Sequence, residues 1–284
     1  MRAAVVGTFD GVHCGHRFLL RTLRREAQAR GLQPLALTFS AHPLELIAPE
    51  RKPRELTSAA ERRRLIEAEG VGVEVLDFND ALRRLTAAEF LAMVRERYGV
   101  SLFLLGFNNR IGSDRLAASE LAGKTVGGVE VLAAEEHPGF SVSSSLVRAA
   151  LAEGDIESAN AMLGRPYSIS GRVVTGRQLG RTLGFPTANI ETAPGAALPA
   201  TGVYVGRMLG HKAVVNVGRR PTVEGRFDAP LSIEAHLLGF SGNLYGREVC
   251  LELLGRLRGE RKFASLDELK AAIANDIKEA GRYE

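Results

Sequence analysis

The chain has 284 residues, 45% of them hydrophobic and 25% charged, with a net charge of +4. That composition excludes a disordered, collagen-like or coiled-coil chain, and no apolar run approaches the roughly 18–20 residues a membrane span needs. The cysteines, Cys14 and Cys250, lie far apart without a Cys-x-x-Cys pattern, which excludes a disulfide framework and a cysteine zinc site; with no signal-peptide pattern, a cytoplasmic protein is expected.

In chain order, residues 2–6 form an apolar strand, followed by a glycine-rich turn and a helix-period segment at 17–30. Strand 35–39, helix 59–69, strand 73–76, helix 87–97, strand 102–105 and helix 115–122 follow. This alternation predicts a doubly wound parallel sheet. Ligands bind such sheets at the carboxyl ends of the strands, so residues 7–16, 38–43 and 106–112 are expected to face one crevice. A helical stretch at 144–163 ends in Gly164-Arg165-Pro166, a stop signal. Beyond it, β-branched runs at 168–175, 202–208, 212–217, 231–238 and 248–254 are separated by Gly, Pro and Asn clusters, with 193–201 read as a loop. They predict an antiparallel barrel or sandwich. A closing helix at 266–280 has a capping box, Ser265 with Glu268, and an apolar face of Leu266, Leu269, Ile273 and Ile277. The expected fold class is α/β plus β, with domains at 1–164 and 165–284. All the excess positive charge lies in the second, which suits an anionic ligand but is too dispersed to imply nucleic acid.

Gly7-Thr8-Phe9-Asp10-Gly11-Val12-His13-Cys14-Gly15-His16 lies directly between the first strand and the first helix. A glycine-rich turn lets the backbone approach an anion, and free N–H groups at the helix start suit phosphate. His13 and His16 are then candidate phosphate ligands; turn and cap residues are the plain alternative, and zinc lacks a third ligand. The segment resembles the Gly-x-Phe-Asp-Gly-Val-His-x-Gly-His motif of bacterial bifunctional riboflavin kinase/FAD synthetases. Thr38-Phe39-Ser40-Ala41-His42-Pro43 and Val142-Ser143-Ser144-Ser145-Leu146-Val147-Arg148 resemble two further motifs of that family. The serines also read as a simple N-cap.

The resemblance implies an HxGH nucleotidyltransferase-like FMN adenylyltransferase (FAD synthetase) domain over 1–164. There the FMN phosphate attacks the α-phosphate of ATP and pyrophosphate leaves, without a covalent enzyme intermediate. It implies His13 and His16 at the reacting phosphates, and Gly7, Phe9, Asp10, Gly15, Ser144, Ser145 and Arg148 on the nucleotide. His42 and Asn108 are implied on the flavin. The chain departs from the family pattern at Ala41, Asn109, Ile111, Ser145 and Leu146.

Residues 171–189 carry a second constellation, in which Gly171, Gly176, Gly180 and Gly184 permit close approach to a polyanion and Arg172, Arg177 and Arg181 supply charge. It is neither a Walker A loop nor Gly-x-Gly-x-x-Gly, and a mobile glycine hairpin is the plain reading. Pro186 fixes the backbone before Thr187, whose hydroxyl suits Mg²⁺, as does the Asn189 amide. The stretch resembles the riboflavin kinase signature ending in Gly-x-Pro-Thr-Ala-Asn, and Asn216 to Thr222, Ile233 to Leu238 and Arg258 to Phe263 follow in the family's order. The resemblance implies Glu234 as catalytic base, Gly171, Gly176, Gly180, Arg181 and Gly184 on the nucleotide, Thr187 and Asn189 on the metal, and Arg258 and Glu260 closing over the flavin. Glu234 alone also reads as an exposed strand carboxylate, and the 258–263 run as a solvated charged face. A kinase domain over 165–284 follows. The whole chain is thus expected to convert riboflavin to FMN and then FAD, with ATP as co-substrate, Mg²⁺, and no membrane or nucleic-acid partner. The alternatives are a riboflavin kinase with a weakened or redirected nucleotidyltransferase domain, and a non-catalytic flavin- or RNA-binding protein; the chain has no Trp for base stacking.

Overall fold

The computed structural model describes residues 1–106, 109–135, 141–176, 179–219 and 231–283, without the side chains of Leu179 and Arg181. Its contacts divide the chain into two units, Met1–Pro53 with Thr57–Ser143, and Arg54–Leu56 with Ser144–Glu284.

The first unit runs β1 (Arg2–Val6), α1 (Cys14–Ala29), β2 (Gln33–Phe39), α2 (Leu44–Ile47), α3 (Ala59–Glu67), β3 (Gly72–Leu76), α4 (Asp80–Arg84), α5 (Ala87–Tyr98) and β4 (Val100–Leu105). It continues with β5 (Arg110–Ile111), β6 (Leu116–Ala117), α6 (Ala118–Leu121), β7 (Thr125–Val126) and β8 (Val129–Ala133). The main sheet has the order β3-β2-β1-β4-β8-β7, parallel except for β7 at the edge. A strand covered on both faces is apolar throughout, and β1 (Arg-Ala-Ala-Val-Val) and β4 (Val-Ser-Leu-Phe-Leu-Leu) read that way. One face packs Leu37, Leu91, Phe103 and Leu105; the other packs Val5, Leu20, Leu23 and Leu104. Chain order reverses between β1 and β4, which makes the carboxyl end of β1 the switch point where such sheets bind ligands.

The structure adds one parallel strand to the expected elements and corrects two helices. Val129–Ala133 is a fifth parallel strand, paired with β4. The helix expected at 115–122 shrinks to Ala118–Leu121, because Arg115 takes φ 55° and Leu116–Ala117 pairs with Arg110–Ile111. The single helix expected at 144–163 is two, α7 (Ser144–Glu153) and α8 (Ile156–Leu163). Gly154 at φ 78° ends the first, and the Asp155 carboxylate accepts the Ser158 N–H to cap the second.

The second unit continues with β9 (Tyr167–Val174), α9 (Leu179–Thr182), β10 (Ala188–Thr192), β11 (Gly202–Met208), β12 (His211–Arg219), β13 (Leu231–Leu237), β14 (Glu248–Arg258) and α10 (Leu266–Arg282). The strands close an antiparallel barrel in the order β10-β13-β12-β11-β14-β9, which leaves no edge strand. β10 is a strand that the sequence pattern does not predict. Alternation sends Ile169, Ile190, Tyr204, Val215, Ile233 and Leu251 inward, where α7 and α8 add Val147, Leu151 and Ile156 to the same cluster. α10 covers Val203, Val205 and Val214 on the outside through Ile277 and Ala280. It is pinned there by a bidentate pair between Arg258 and the 3%-exposed Asp276, at 2.9 and 2.7 Å. Leu56, 2% exposed, belongs to the barrel cluster, while Glu55 bridges Ala196.

Candidate active sites

The turn after β1 is a strained, buried structure. Phe9, Gly11 and Val12 take φ of 48°, 80° and 39°, and Phe9 and Val12 are each 1% exposed. Positive φ is unfavourable for a β-branched residue, so the surroundings must hold Val12 in place. Part of that hold comes from Asp10, 3% exposed, whose Oδ1 accepts the Thr57 N–H at 3.1 Å, while Gly11 N–H donates to the Thr57 hydroxyl at 3.1 Å. Asp10 thus anchors the turn, and Thr57, 46 residues from Gly11, is a site residue no local motif announces.

His13 is the N-cap of α1, and its Nδ1 accepts the His16 N–H at 3.3 Å. The two imidazoles stack at 3.7 Å between centroids, 15° apart, and Phe9 meets His16 edge-on at 5.2 Å. His16 Nδ1 is buried without a hydrogen-bond partner. Burial first, then the neighbouring His13, holds the His16 pKa well below the ordinary histidine value, so the ring is neutral at pH 7. A Cβ on Gly15 would lie 3.0 Å from Val142 Cγ1 and 3.3 Å from the His13 ring, and one on Gly7 would lie 3.3 Å from the Phe9 ring. Both glycines therefore give room to the aromatic groups of the turn.

The carboxyl ends of the neighbouring strands close on this turn. The Thr38 hydroxyl donates to the Thr8 carbonyl at 3.3 Å, Gly7 N–H to Leu37 O at 3.1 Å, and Asn109 Nδ2 to Val6 O at 3.3 Å. His42 is half-buried, with Nδ1 accepting the Leu44 N–H at 3.1 Å. Asn108 lies outside the described residues, as does the side chain of Arg181. Ser144 and Ser145 open α7, and Arg148 on that helix donates from Nε to Arg54 O at 2.6 Å.

On the barrel, Asn189, Glu234 and Asn216 are consecutive register partners on β10, β13 and β12. Their in-sequence neighbours Ile190, Ile233, Val215 and Val217 point into the core, so alternation puts all three on the outer face. The Thr187 hydroxyl lies 3.4 Å from Glu234 Oε2. A Cβ on Gly176 would collide with the Asn189 amide, and one on Gly180 with the Phe185 carbonyl. Gly184, at φ 90°, makes the turn after α9. A Cβ on Gly218 would meet Glu260 Oε1 at 2.7 Å, which brings Glu260 to the same face. Two expected site residues stand apart from this cluster. Gly171 is buried mid-strand, where any side chain would collide with Glu191 O across β10, a packing requirement of the barrel. Arg258 is held by Asp276 and so anchors α10.

Among the described residues, no group of three or more His, Cys, Asp or Glu side chains could hold a metal ion. No helix there is long and apolar enough to cross a membrane.

Comparison with known proteins finds two family models in succession along the chain. A family model described as FAD synthetase matches residues 1–145, and one described as riboflavin kinase matches 163–284. Proteins named bifunctional riboflavin kinase/FMN adenylyltransferase are similar over nearly the full length. The one from Escherichia coli (strain K12) is 38% identical, covering 95% of this chain and 89% of its own. That from Pseudomonas fluorescens is 39% identical, covering 96% and 90%, and that from Bacillus subtilis (strain 168) 33%, covering 98% and 91%. A crystal structure described as a macrolide-efflux protein from Streptococcus pneumoniae superposes with a TM-score of 0.88 at 31% identity, covering 100% of this chain and 94% of that one. Two matched domain models in order, together with relatives above 30% identity along the chain, establish that it belongs to the bifunctional riboflavin kinase/FMN adenylyltransferase family.

Proposed function

We propose that this chain phosphorylates riboflavin to FMN within residues 165–284 and adenylylates FMN to FAD within 1–164, consuming ATP in both steps, in the cytoplasm. The observation that carries the reading is that each unit assembles its own site: the His13–His16 stack at the switch point of the sheet, and Glu234 beside Thr187 and Asn189 on the barrel.

In the kinase step the Glu234 carboxylate takes the proton of the riboflavin 5′-hydroxyl as that oxygen attacks the γ-phosphorus of ATP, and ADP leaves. Thr187 Oγ1 and the Asn189 amide oxygen are hard donors of the kind Mg²⁺ accepts alongside substrate phosphates, so these residues fit the ion. When bound, it supplies charge neutralisation to the phosphates. Gly176, Gly180 and Gly184 line the nucleotide, and Glu260, which reaches the face of Gly218, flanks the flavin.

In the adenylyl step a phosphate oxygen of FMN attacks the α-phosphorus of ATP, and pyrophosphate leaves with the electron pair of the broken bond. Catalysis here is positioning plus hydrogen bonding to phosphate oxygens. Because His13 Nδ1 accepts the His16 N–H, neutral His13 carries its proton on Nε2, a donor for phosphate. His16 remains a neutral ring, buttressed by Phe9 and His13. The resemblance, rather than any contact, assigns Ser144, Ser145 and Arg148 to the departing pyrophosphate. His42, in the segment after β2, is the flavin contact.

The test is to incubate the protein with riboflavin, ATP and Mg²⁺ and separate the flavins over time. FMN first and FAD after it is the expected course. FMN alone would leave a kinase with an altered nucleotidyltransferase domain, and no product from riboflavin or FMN would leave a binding protein.

A further inference from the structure

Arg62, on α3, is a buried cation, 8% exposed, that forms no ion pair among the described residues. Its Nη1 donates to the Thr8 carbonyl and its Nη2 to the Phe39 carbonyl, both at 3.1 Å. Its Nε is buried without a partner. A guanidinium keeps its proton in a protein, so burial leaves the full charge in place, and buried charges are ordinarily matched by an opposite charge. Nearby basic residues show the ordinary arrangement: Arg17 and Arg21 on α1 pair with Glu69 at 2.7 and 2.8 Å.

The position of the unmatched charge is informative. Thr8 lies inside the turn that carries His13 and His16, and Phe39 ends β2 at the start of the 38–43 segment. Arg62 therefore grips the carboxyl ends of two adjacent strands at the side of the sheet where ligands bind. Within the turn itself, the buried Asp10 carboxylate accepts from the Thr57 backbone. Two carbonyl dipoles offset a guanidinium only in part, and a polyphosphate would supply the missing negative charge.

We propose that Arg62 is a positioning residue for adenylyl transfer, clasping the phosphate-binding turn to β2 and holding a fixed positive charge for the triphosphate of ATP. This rests on the adenylyltransferase reading of the sheet unit. A purely structural clasp would need only the hydrogen bonds, whereas the proposed role needs the charge.

The experiment compares the parent with Arg62→Lys, Arg62→Gln and Arg62→Met, measuring FAD formation from supplied FMN against ATP concentration. Kinase activity and melting temperature are read on the same samples. Arg62→Lys should keep the KM for ATP within about threefold of the parent while lowering kcat, and Arg62→Gln and Arg62→Met should raise that KM at least about tenfold. Kinase activity should be unchanged throughout. A parent-like KM in the neutral variants, or a KM in Arg62→Lys raised as far as in Arg62→Met, would overturn the proposal. If Arg62→Met melts early, the Lys and Gln variants decide, since Gln retains a donor for a carbonyl. Absence of FAD from the parent would instead refute the adenylyltransferase reading, and the proposal with it.

Discussion

The two units assemble their sites by opposite means. The sheet unit sets its imidazoles in one turn of consecutive residues, Gly7 to His16, held in shape by strained backbone and a buried carboxylate. The barrel unit takes Asn189, Glu234 and Asn216 from three strands and aligns them by register alone. A turn keeps its site residues together by sequence adjacency, whereas a register site exists only while the barrel is correctly paired. A slip of one residue would send Glu234 to the interior and Ile233 to the surface.

The sharpest way to break this comparison is to disable each site alone. Glu234→Ala should lower FMN formation by roughly 10²–10⁴-fold while FAD still forms from supplied FMN at the parent rate. His16→Ala should do the converse; loss of both activities from either change, measured by flavin chromatography, would refute independent sites. A smaller effect is expected from Gly176→Ala, whose new methyl collides with the Asn189 amide. Displacing that amide should lower riboflavin phosphorylation by about tenfold or more, with FAD formation from FMN as the control. Gly15→Ala asks the same of the turn, but its contacts at 3.0–3.3 Å need a shift of only a few tenths of an ångström. FAD formation should fall only about three- to tenfold, and a complete loss would mean the turn is less yielding than its contacts suggest.

The smallest effect is a pH dependence. The His16 pKa is depressed in the folded chain, chiefly by burial. The unfolded chain therefore binds the extra proton first, and stability should fall as pH drops below about 6.5, the ordinary histidine value. His16→Gln should flatten the loss of melting temperature between pH 7.5 and 5.5; an unchanged slope would show that other groups govern it.

Much of this was legible in the sequence, for physical reasons that also mark the limits. Continuous apolar runs made β1, β2 and β4 plain, and the glycine-rich turn between β1 and α1 declared its anion geometry. The short strand β8 alternates Val129-Glu130-Val131 behind a Gly127-Gly128 turn, unlike the unbroken apolar run that marks most buried parallel strands. The α7–α8 break hid behind an apolar period that continues across Gly154-Asp155. No local pattern marks Thr57 and Arg62, whose partners, Gly11 and Thr8, lie 46 and 54 residues away. The family resemblance singles out Asn189 and Glu234, but that they share a face depends on β10, which only the pairing reveals.

The small excursion at Arg54–Leu56 bears on how this molecule can be taken apart. The chain leaves the sheet unit after Pro53, contributes Leu56 to the barrel's cluster and a bridge from Glu55 to Ala196, and returns at Thr57. No single scission therefore separates the two folding modules. A fragment cut at Ser143 keeps a leucine that has lost its burial, and the complementary fragment has a Leu56-sized vacancy, a defect that commonly costs about 2–5 kcal/mol. Gene fission would have to reinvent a plug for that hole, whereas fusion supplies one from the outset.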